Sequence, residues 1–273
     1  MNFIKRAIVA VLFIPLLLWL YLTGGVWLQV FLCLLTVLST YELIKMGGHS
    51  GKWKVESGKL SSSCISIAEY INIFFSMLLF LSISFGSLYL FHIILITVIY
   101  NGAWYVFTNR LDGSVSRISY SLFTVIYPAV GFGLMYSLSD MANYPNTLLP
   151  ILAILIWITD TFAYFTGILI GKYKNVFTCS PNKSAEGFIG GLVFTFVASY
   201  AVTLIFPEYY TFRHVIYFTI AAGIFGQFGD LLESPIKRDM GVKDSSGIIP
   251  GHGGVLDRFD SVLIASPVLW CLL

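Results

Sequence analysis

Apolar runs of about 20 residues follow one another along almost the whole chain, separated by short polar segments. A run of that length spans the hydrocarbon core of a membrane when it forms an α-helix. The pattern therefore predicts an all-α, polytopic helical bundle. We place its nine transmembrane helices near residues 7–23, 26–44, 64–85, 87–107, 119–138, 148–170, 188–206, 214–232 and 257–273.

The composition leads to the same class of protein. The 273 residues are 57% hydrophobic and only 11% charged, with a net charge of +2. Because soluble domains carry about 25% charged residues, a water-soluble globule is excluded. The small net charge and the lack of a basic tract argue against nucleic acid as a partner. The lipid bilayer is the expected surrounding.

The distribution of cations predicts the orientation. With a cytoplasmic N-terminus and nine spans, all sixteen lysines and arginines except Arg213 fall on the cytoplasmic side. The positive-inside bias of membrane proteins requires such an asymmetry. We therefore predict a multi-pass protein of the cell (inner) membrane, with the polar segment before the last span facing the cytoplasm.

A carboxylate interrupts the sixth span. Asp160 lies roughly midway along it, and it should face a polar cavity or a partner because a charge facing lipid is costly. Helical spacing continues its face through Tyr164, Gly167 and Gly171, where the glycines let another helix or a ligand come close. A helix-packing hydrogen bond without any chemistry explains Asp160 as well.

Further acids occur where the eighth span ends and the ninth begins. Asp230 and Glu233 share a face near a helix C-terminus, where the macrodipole disfavours acids and a cation should offset them. Pro235 is predicted to stop or bend that helix. Asp257 and Asp260 open the ninth span.

If the two helix ends are adjacent, Asp230, Asp257 and Asp260 converge. Such hard oxygen ligands suit Mg²⁺, which prefers carboxylates together with substrate phosphates. Ion pairs of the acids with Arg238, Lys243 and Arg258 are the alternative explanation for the same pattern.

The segment between these helices mixes cations with a glycine turn. Lys237 and Arg238 are followed by Gly251, Gly253 and Gly254, whose backbone N–H groups can receive phosphate oxygens. His252 binds phosphate or caps the loop by a hydrogen bond, and the sequence favours neither. The mixture is typical of a site for a metal–polyphosphate complex.

A second polar loop, "GKYKNVFTCSPNKSAEGFIGG" (171–191), adds Lys172, Lys174 and Lys183. Ser184, followed by Glu186, provides cap-like side chains where the seventh helix begins. An ordinary capped loop on the cytoplasmic side has the same appearance, so the loop alone does not distinguish a site from a connection.

These residues resemble a known family. Ser234-x-Ile236-Lys237-Arg238, Lys243-Asp244, Pro250 to Gly254 and Asp257-Arg258-x-Asp260-Ser261 are similar, at matching spacing, to the signature of the phosphatidate cytidylyltransferases, also called CDP-diacylglycerol synthases. "DTFAYFTG", "SPNKSAEG" and "GQFGDLLES" resemble further pieces of that family, so the resemblance covers about residues 157–262. Ser184 replaces a threonine that is common there, and Ala185 is a looser match.

The resemblance implies an enzyme of phospholipid biosynthesis that joins CTP to phosphatidate, with Mg²⁺, giving CDP-diacylglycerol and diphosphate. By this resemblance the chain is one membrane domain with two parts. Residues 1–140 form helices of uncertain role, and residues 141–273 form the catalytic region, with cytoplasmic loops 171–187 and 233–258. Asp160 then lines the polar cleft or contributes to a second cation site, such as one for K⁺.

The resemblance also assigns the candidate residues. The catalytic candidates are Lys237, Arg238, Lys243, Asp244 and Arg258. The substrate-binding candidates are Asp160, Ser180, Lys183, Glu186, Ser234, His252, Gly253 and Gly254. The metal candidates are Asp230, Asp257 and Asp260.

Other interpretations remain open at this point. A CTP-dependent polyprenol or phytol kinase, or an ether-lipid cytidylyltransferase, shares the same frame, although a kinase should place a general base beside its alcohol. A transporter should distribute polar residues along a path through the membrane, whereas here they lie on one side. The many glycines fit a homodimer and equally fit helix packing within one chain.

Overall fold

The computed structural model describes residues 2–49, 67–107, 113–144, 146–174, 176–178, 180–249, 251 and 253–273. Within these residues the chain forms nine helices: α1 (Asn2–Thr23), α2 (Gly25–His49), α3 (Ile67–Ser84), α4 (Leu90–Phe107), α5 (Ser114–Ser139), α6 (Leu148–Ile170), α7 (Ala185–Ile205), α8 (Phe212–Asp239) and α9 (Leu256–Leu272). Each predicted span coincides with one helix, and the all-α class is confirmed for this part of the chain.

Six of the helices formed by the described residues are long and apolar enough to cross a membrane, namely α2, α4, α5, α6, α7 and α8. Two others contribute shorter apolar stretches, Phe13–Thr23 of α1 and Glu69–Ser84 of α3. The last helix, α9, has 17 residues. The chain is thus a multi-pass membrane protein.

The eighth helix is longer than predicted. The predicted span ended at residue 232, but α8 continues through Pro235 to Asp239. Pro235 therefore does not stop the helix, because Lys237, one turn beyond Glu233, binds carboxylates on α8 and α9 and holds the residues after the proline. The sequence pattern also did not predict a π-helical stretch, Thr219–Gly226, in the middle of this helix.

The bundle consists of two groups of helices that α9 joins. In one group α5 packs against α2, α3 and α4, and in the other α6, α7 and α8 pack together. The pair α6–α7 has a close backbone approach, because a Cβ on Gly187 would lie 2.8 Å from the carbonyl oxygen of Ala163. α9 packs against both α5 and α8, so it links the two halves of the chain.

Two polar loops lie at the same end of the bundle, which we call the loop end. They comprise residues 171–184, between α6 and α7, and residues 240–255, between α8 and α9. Both are shorter than the predicted 171–187 and 233–258, because the residues at their edges are helical. The opposite end holds the contact between Asn146 and the Leu22 carbonyl, where α1 and α6 meet.

Candidate active site

The loop end gathers most of the predicted site residues. Lys183 of the first loop pairs with Asp230 of α8, with 2.5 Å between Nζ and Oδ2. Lys237 of α8 pairs with Asp257 of α9 at 2.6 Å. The first loop, α8 and α9 therefore meet at one place, so the two helix ends are adjacent, which was the condition for the acids to converge.

A buried cation holds two acids together at this place. The Lys237 ammonium lies 2.6 Å from Asp257 Oδ1 and 3.2 Å from Glu233 Oε2. Only 12% of the Lys237 side chain is exposed, against 6% for Asp257 and 1% for Glu233. One positive charge is thus shared by two buried carboxylates, which restricts all three side chains to a single arrangement.

The other oxygen of Asp257 organises the second loop. Asp257 Oδ2 accepts hydrogen bonds from Gly254 N at 2.8 Å, Ser245 N at 2.9 Å and Ser245 Oγ at 2.9 Å. Gly253 beside it has φ of +85°, a left-handed conformation that glycine adopts without strain. Both oxygens of Asp257 therefore bind protein groups in this arrangement.

Asp230, Asp260 and Asp160 form a second acidic group. Gly229 has no side chain, so α8 touches the α9 backbone at Asp260 and Ser261, and a Cβ on Gly229 would lie 2.8 Å from Ser261 Cα. This contact brings Asp230 close enough to Asp260 for their charges to interact. Asp160 interacts electrostatically with both of these acids and with Lys183.

A cavity of about 510 Å³ opens beside these acids. Its apolar wall is formed by α1 and α6 side chains, among them Leu17, Tyr21 and Trp157, and is completed by Ile249 of the second loop and by Phe259 and Val262 of α9. Its charged edge is formed by Asp160, Asp257, Arg258 and Asp260. The side chain of Asp160 faces this cavity, which is one of the two environments predicted for it.

Several other candidates are solvent-exposed. Arg238, Lys243, Asp244 and Arg258 all have exposed side chains, and none of them forms an ion pair with another described residue. They are therefore available to a charged ligand. His252 lies outside the described residues.

The remaining candidates have local partners. Ser234 Oγ donates to the Asp230 carbonyl at 3.1 Å, and Glu186 accepts from Tyr173 N at 3.1 Å. The N-cap of α7 is Ser184, which accepts from Gly187 N at 3.1 Å, as predicted. Ser180 is half-buried in the same loop. Glu186 and Ser184 fix the first loop, which carries Lys183 to Asp230.

The acids at the loop end can bind a divalent cation only if a bound substrate provides further ligands to it. Among the described residues, no three His, Cys, Asp or Glu side chains are grouped so that they could hold a metal ion. Asp230 and Asp260 nevertheless offer hard carboxylate oxygens beside an open cavity. This donor set fits Mg²⁺, which is commonly bound by one or two carboxylates with substrate phosphates and water completing its shell.

One residue of the site was missed from the sequence. Glu42, on α2, is fully buried, and its carboxylate accepts hydrogen bonds from Ser245, Ser246, Val255 and Leu256. It lies in the part of the chain to which no role was assigned. A lone carboxylate in a long apolar run, the signal that singled out Asp160, would have found it.

The comparisons with known proteins identify the family of this chain. The model of the cytidylyltransferase family matches residues 4–273. A phosphatidate cytidylyltransferase of Staphylococcus haemolyticus is 35% identical over 98% of this chain and 96% of its own length, and that of Staphylococcus saprophyticus is 34% identical over the same shares. The phosphatidate cytidylyltransferase of Bacillus subtilis is 38% identical over 58% of each chain. The chain belongs to the cytidylyltransferase family.

Proposed function

We propose that this protein is a phosphatidate cytidylyltransferase, which converts CTP and phosphatidate into CDP-diacylglycerol and diphosphate. The observation that carries the proposal is the similarity over almost the full length to proteins of that name, with the family match extending over residues 4–273. The active site is proposed to face the cytoplasm, where CTP is available, and the chain to cross the membrane nine times.

The cavity supports a substrate that is part lipid and part phosphate. Its wall of Leu17, Tyr21 and Trp157 is suited to acyl chains or a glycerol backbone, and its edge carries Arg258. Phosphatidate combines these two chemistries in one molecule. The exposed side chains of Arg238 and Lys243 are suited to the phosphates of CTP.

The reaction needs charge neutralisation more than proton transfer. An oxygen of the phosphatidate phosphate attacks the α-phosphorus of CTP, a new P–O bond forms, and the bond to the β-phosphate oxygen breaks to release diphosphate. The attacking monoester is already largely ionised near neutral pH, since its second pKa is about 6 by analogy with phosphoserine. No general base is therefore assigned.

The chain's own residues provide position and charge. The exposed Arg238, Lys243 and Arg258, with Lys183 beside Asp230, offset the repulsion between two polyanions and stabilise the charge that develops in the transition state. Lys237, also a predicted catalytic residue, acts in this arrangement by holding Glu233 and Asp257 in place. Bound Mg²⁺ supplies further charge neutralisation for the CTP phosphates and the departing diphosphate. We assign its protein ligands to Asp230 and Asp260, and Asp257 remains a third predicted ligand.

The test uses the purified full-length protein in detergent with CTP, phosphatidate and Mg²⁺. We expect CDP-diacylglycerol and diphosphate in equal amounts, and product analysis would reveal a kinase by the release of CDP. Asp260→Asn should lower kcat at least 100-fold while the melting temperature is retained, because the proposed ligand loses its charge. Asp140→Asn, the same change at the exposed C-cap of α5, is the control and should keep full activity. The proposal fails if the wild-type protein forms no CDP-diacylglycerol.

A further inference from the structure

The carboxylate of Glu42 has an unusual environment for a membrane helix. Each of its oxygens accepts two hydrogen bonds. Oε1 accepts from Ser246 Oγ at 2.6 Å and Val255 N at 2.8 Å, and Oε2 accepts from Ser245 Oγ at 3.0 Å and Leu256 N at 3.0 Å. Among the described residues no cation pairs with it. Within the described part of the chain, hydroxyl and backbone N–H dipoles stabilise this buried carboxylate.

The four donors belong to the segment that carries the proposed chemistry. Val255 is the N-cap of α9 and Leu256 is its first residue, and the N–H groups at a helix N-terminus have no partner within the helix. Glu42 binds these groups from a helix more than 200 residues earlier in the chain. The carboxylate thereby sets the direction in which α9 starts, and Asp257 and Asp260 follow within its first turn and a half.

A chain of polar contacts connects Glu42 with Lys237. Ser245 Oγ lies 3.0 Å from Glu42 Oε2 and 2.9 Å from Asp257 Oδ2. Asp257 Oδ1 in turn binds Lys237 Nζ. The Ser245 hydroxyl has one hydrogen for two acceptors, so the two carboxylates compete for it and the position of each depends on the other.

The loop is shaped to admit the Glu42 side chain. A Cβ on Gly254 would lie 2.6 Å from each Glu42 carboxylate oxygen and would also collide with Ser245 Oγ. Only glycine at this position lets the loop close over the carboxylate. The lack of room for a side chain at Gly254 is a second observation, besides the hydrogen bonds, that the loop packs directly on the Glu42 carboxylate.

We infer that Glu42 is a positioning residue for cytidylyl transfer: it holds loop 240–255 and the start of α9 so that Asp257, Lys237 and Asp260 have their working arrangement. The inference rests on the proposed function for the step that it affects. It also gives the N-terminal helices, previously without a role, a direct part in the site.

The experiment compares Glu42→Gln with wild type in lipid nanodiscs. Glutamine has nearly the same shape as glutamate, but its NH2 group takes the place of one carboxylate oxygen. That NH2 group would face the hydroxyl and N–H donors of the loop. We expect kcat to fall at least tenfold, because a hydrogen bond to a charged group contributes about a factor of ten or more. The KM for phosphatidate should change less than kcat, since the α1 and α6 part of the cavity wall, with Leu17, Tyr21 and Trp157, does not belong to the loop that Glu42 holds. Ser39→Ala is the matched control. Ser39 is buried on the same helix, and its hydroxyl has no hydrogen-bond partner among the described residues, so the substitution removes no hydrogen bond seen there.

Hydrogen exchange provides a measurement that does not depend on substrate. In Glu42→Gln the amides of residues 243–249 and 253–256 should exchange faster while α3, α5 and α7 keep their protection. Unchanged exchange in this segment, or kcat within twofold of wild type, overturns the inference. If Glu42→Gln does not fold, Ser246→Ala replaces it, and unchanged exchange together with unchanged turnover in that variant overturns the inference equally. A wild-type protein without cytidylyltransferase activity refutes the proposed function, while the exchange result still tests the role of Glu42 in the loop.

Discussion

At the residue scale, the site depends on buried charges that compensate one another. Lys237 lies between Glu233 and Asp257, and all three side chains are largely buried. A buried ion pair contributes little net stability compared with apolar residues of the same shape, but loss of one partner leaves an uncompensated charge. Here loss of the lysine would leave two buried carboxylates facing each other.

Lys237→Met should therefore destabilise the fold as well as abolish activity. We expect a loss of about 3–5 kcal/mol in the free energy of unfolding, as for other broken buried pairs, and a lower melting temperature in detergent. Lys243→Met removes an exposed lysine of the same loop region and should leave the melting temperature nearly unchanged. Equal melting temperatures for the two variants would contradict the role of Lys237 as the shared counter-charge.

The sequence predicted the site unevenly at this scale. Lys237, Asp257, Asp260 and Lys183 were found because they belong to short motifs with fixed spacing. Glu42 was not found, because its donors lie more than 200 residues away and no local pattern contains both. The ion pair between Lys237 and Asp257 was likewise not predicted, since spacing along the chain does not tell which cation meets which acid.

At the element scale, close packing of α8 and α9 brings the acids together. The contact lies at Gly229, where the α8 backbone touches the α9 backbone at Asp260 and Ser261. The sequence predicted both helices, whereas the adjacency of their ends was a condition of the metal-site hypothesis that the contact at Gly229 fulfils. It did not predict that α8 continues past Pro235, because the tertiary contacts of Lys237 overcome the local effect of the proline.

Gly229→Ala should separate these two helices. Its methyl group would collide with the backbone oxygen of Asp260, and overpacking of this kind costs about 1–3 kcal/mol. We expect a lower melting temperature and reduced cytidylyl transfer in the purified variant. Gly102→Ala, in α4, meets no atom within 4 Å and should stabilise the helix by about 0.5–1 kcal/mol. If the two variants behave alike, the Gly229 contact does not position the acids.

At the scale of the whole molecule, the two halves of the chain form one unit. α9 packs against α5 from the first half and α8 from the second, and Glu42 of α2 binds the loop that precedes α9. Residues 1–140, whose role the sequence left uncertain, therefore contact the site directly through Glu42. Hydropathy alone predicted where the helices of the described residues lie, but contacts between halves follow from packing that a linear pattern does not contain.

The orientation in the membrane is the last prediction, and cysteine labelling tests it. The four cysteines Cys33, Cys64, Cys179 and Cys271 are first replaced by alanine. Lys174→Cys then places one thiol in the loop after α6, at the loop end, and Glu208→Cys places one in the connection between α7 and α8, at the opposite end. Both positions are exposed, so their reactivity reports only the side of the membrane.

In intact cells a membrane-impermeant maleimide should label the cysteine at position 208 and leave that at position 174 unlabelled until the membrane is opened. This result follows from the positive-inside bias, because the loop end carries Lys172, Lys174, Lys183 and Lys243 whereas Arg213 is the cation of the opposite end. Labelling of position 174 alone in intact cells would show that the candidate site lies on the outer side of the membrane, away from CTP. The acids and cations of the loop end would then have no nucleotide to act on, and the proposed function would fail with the orientation.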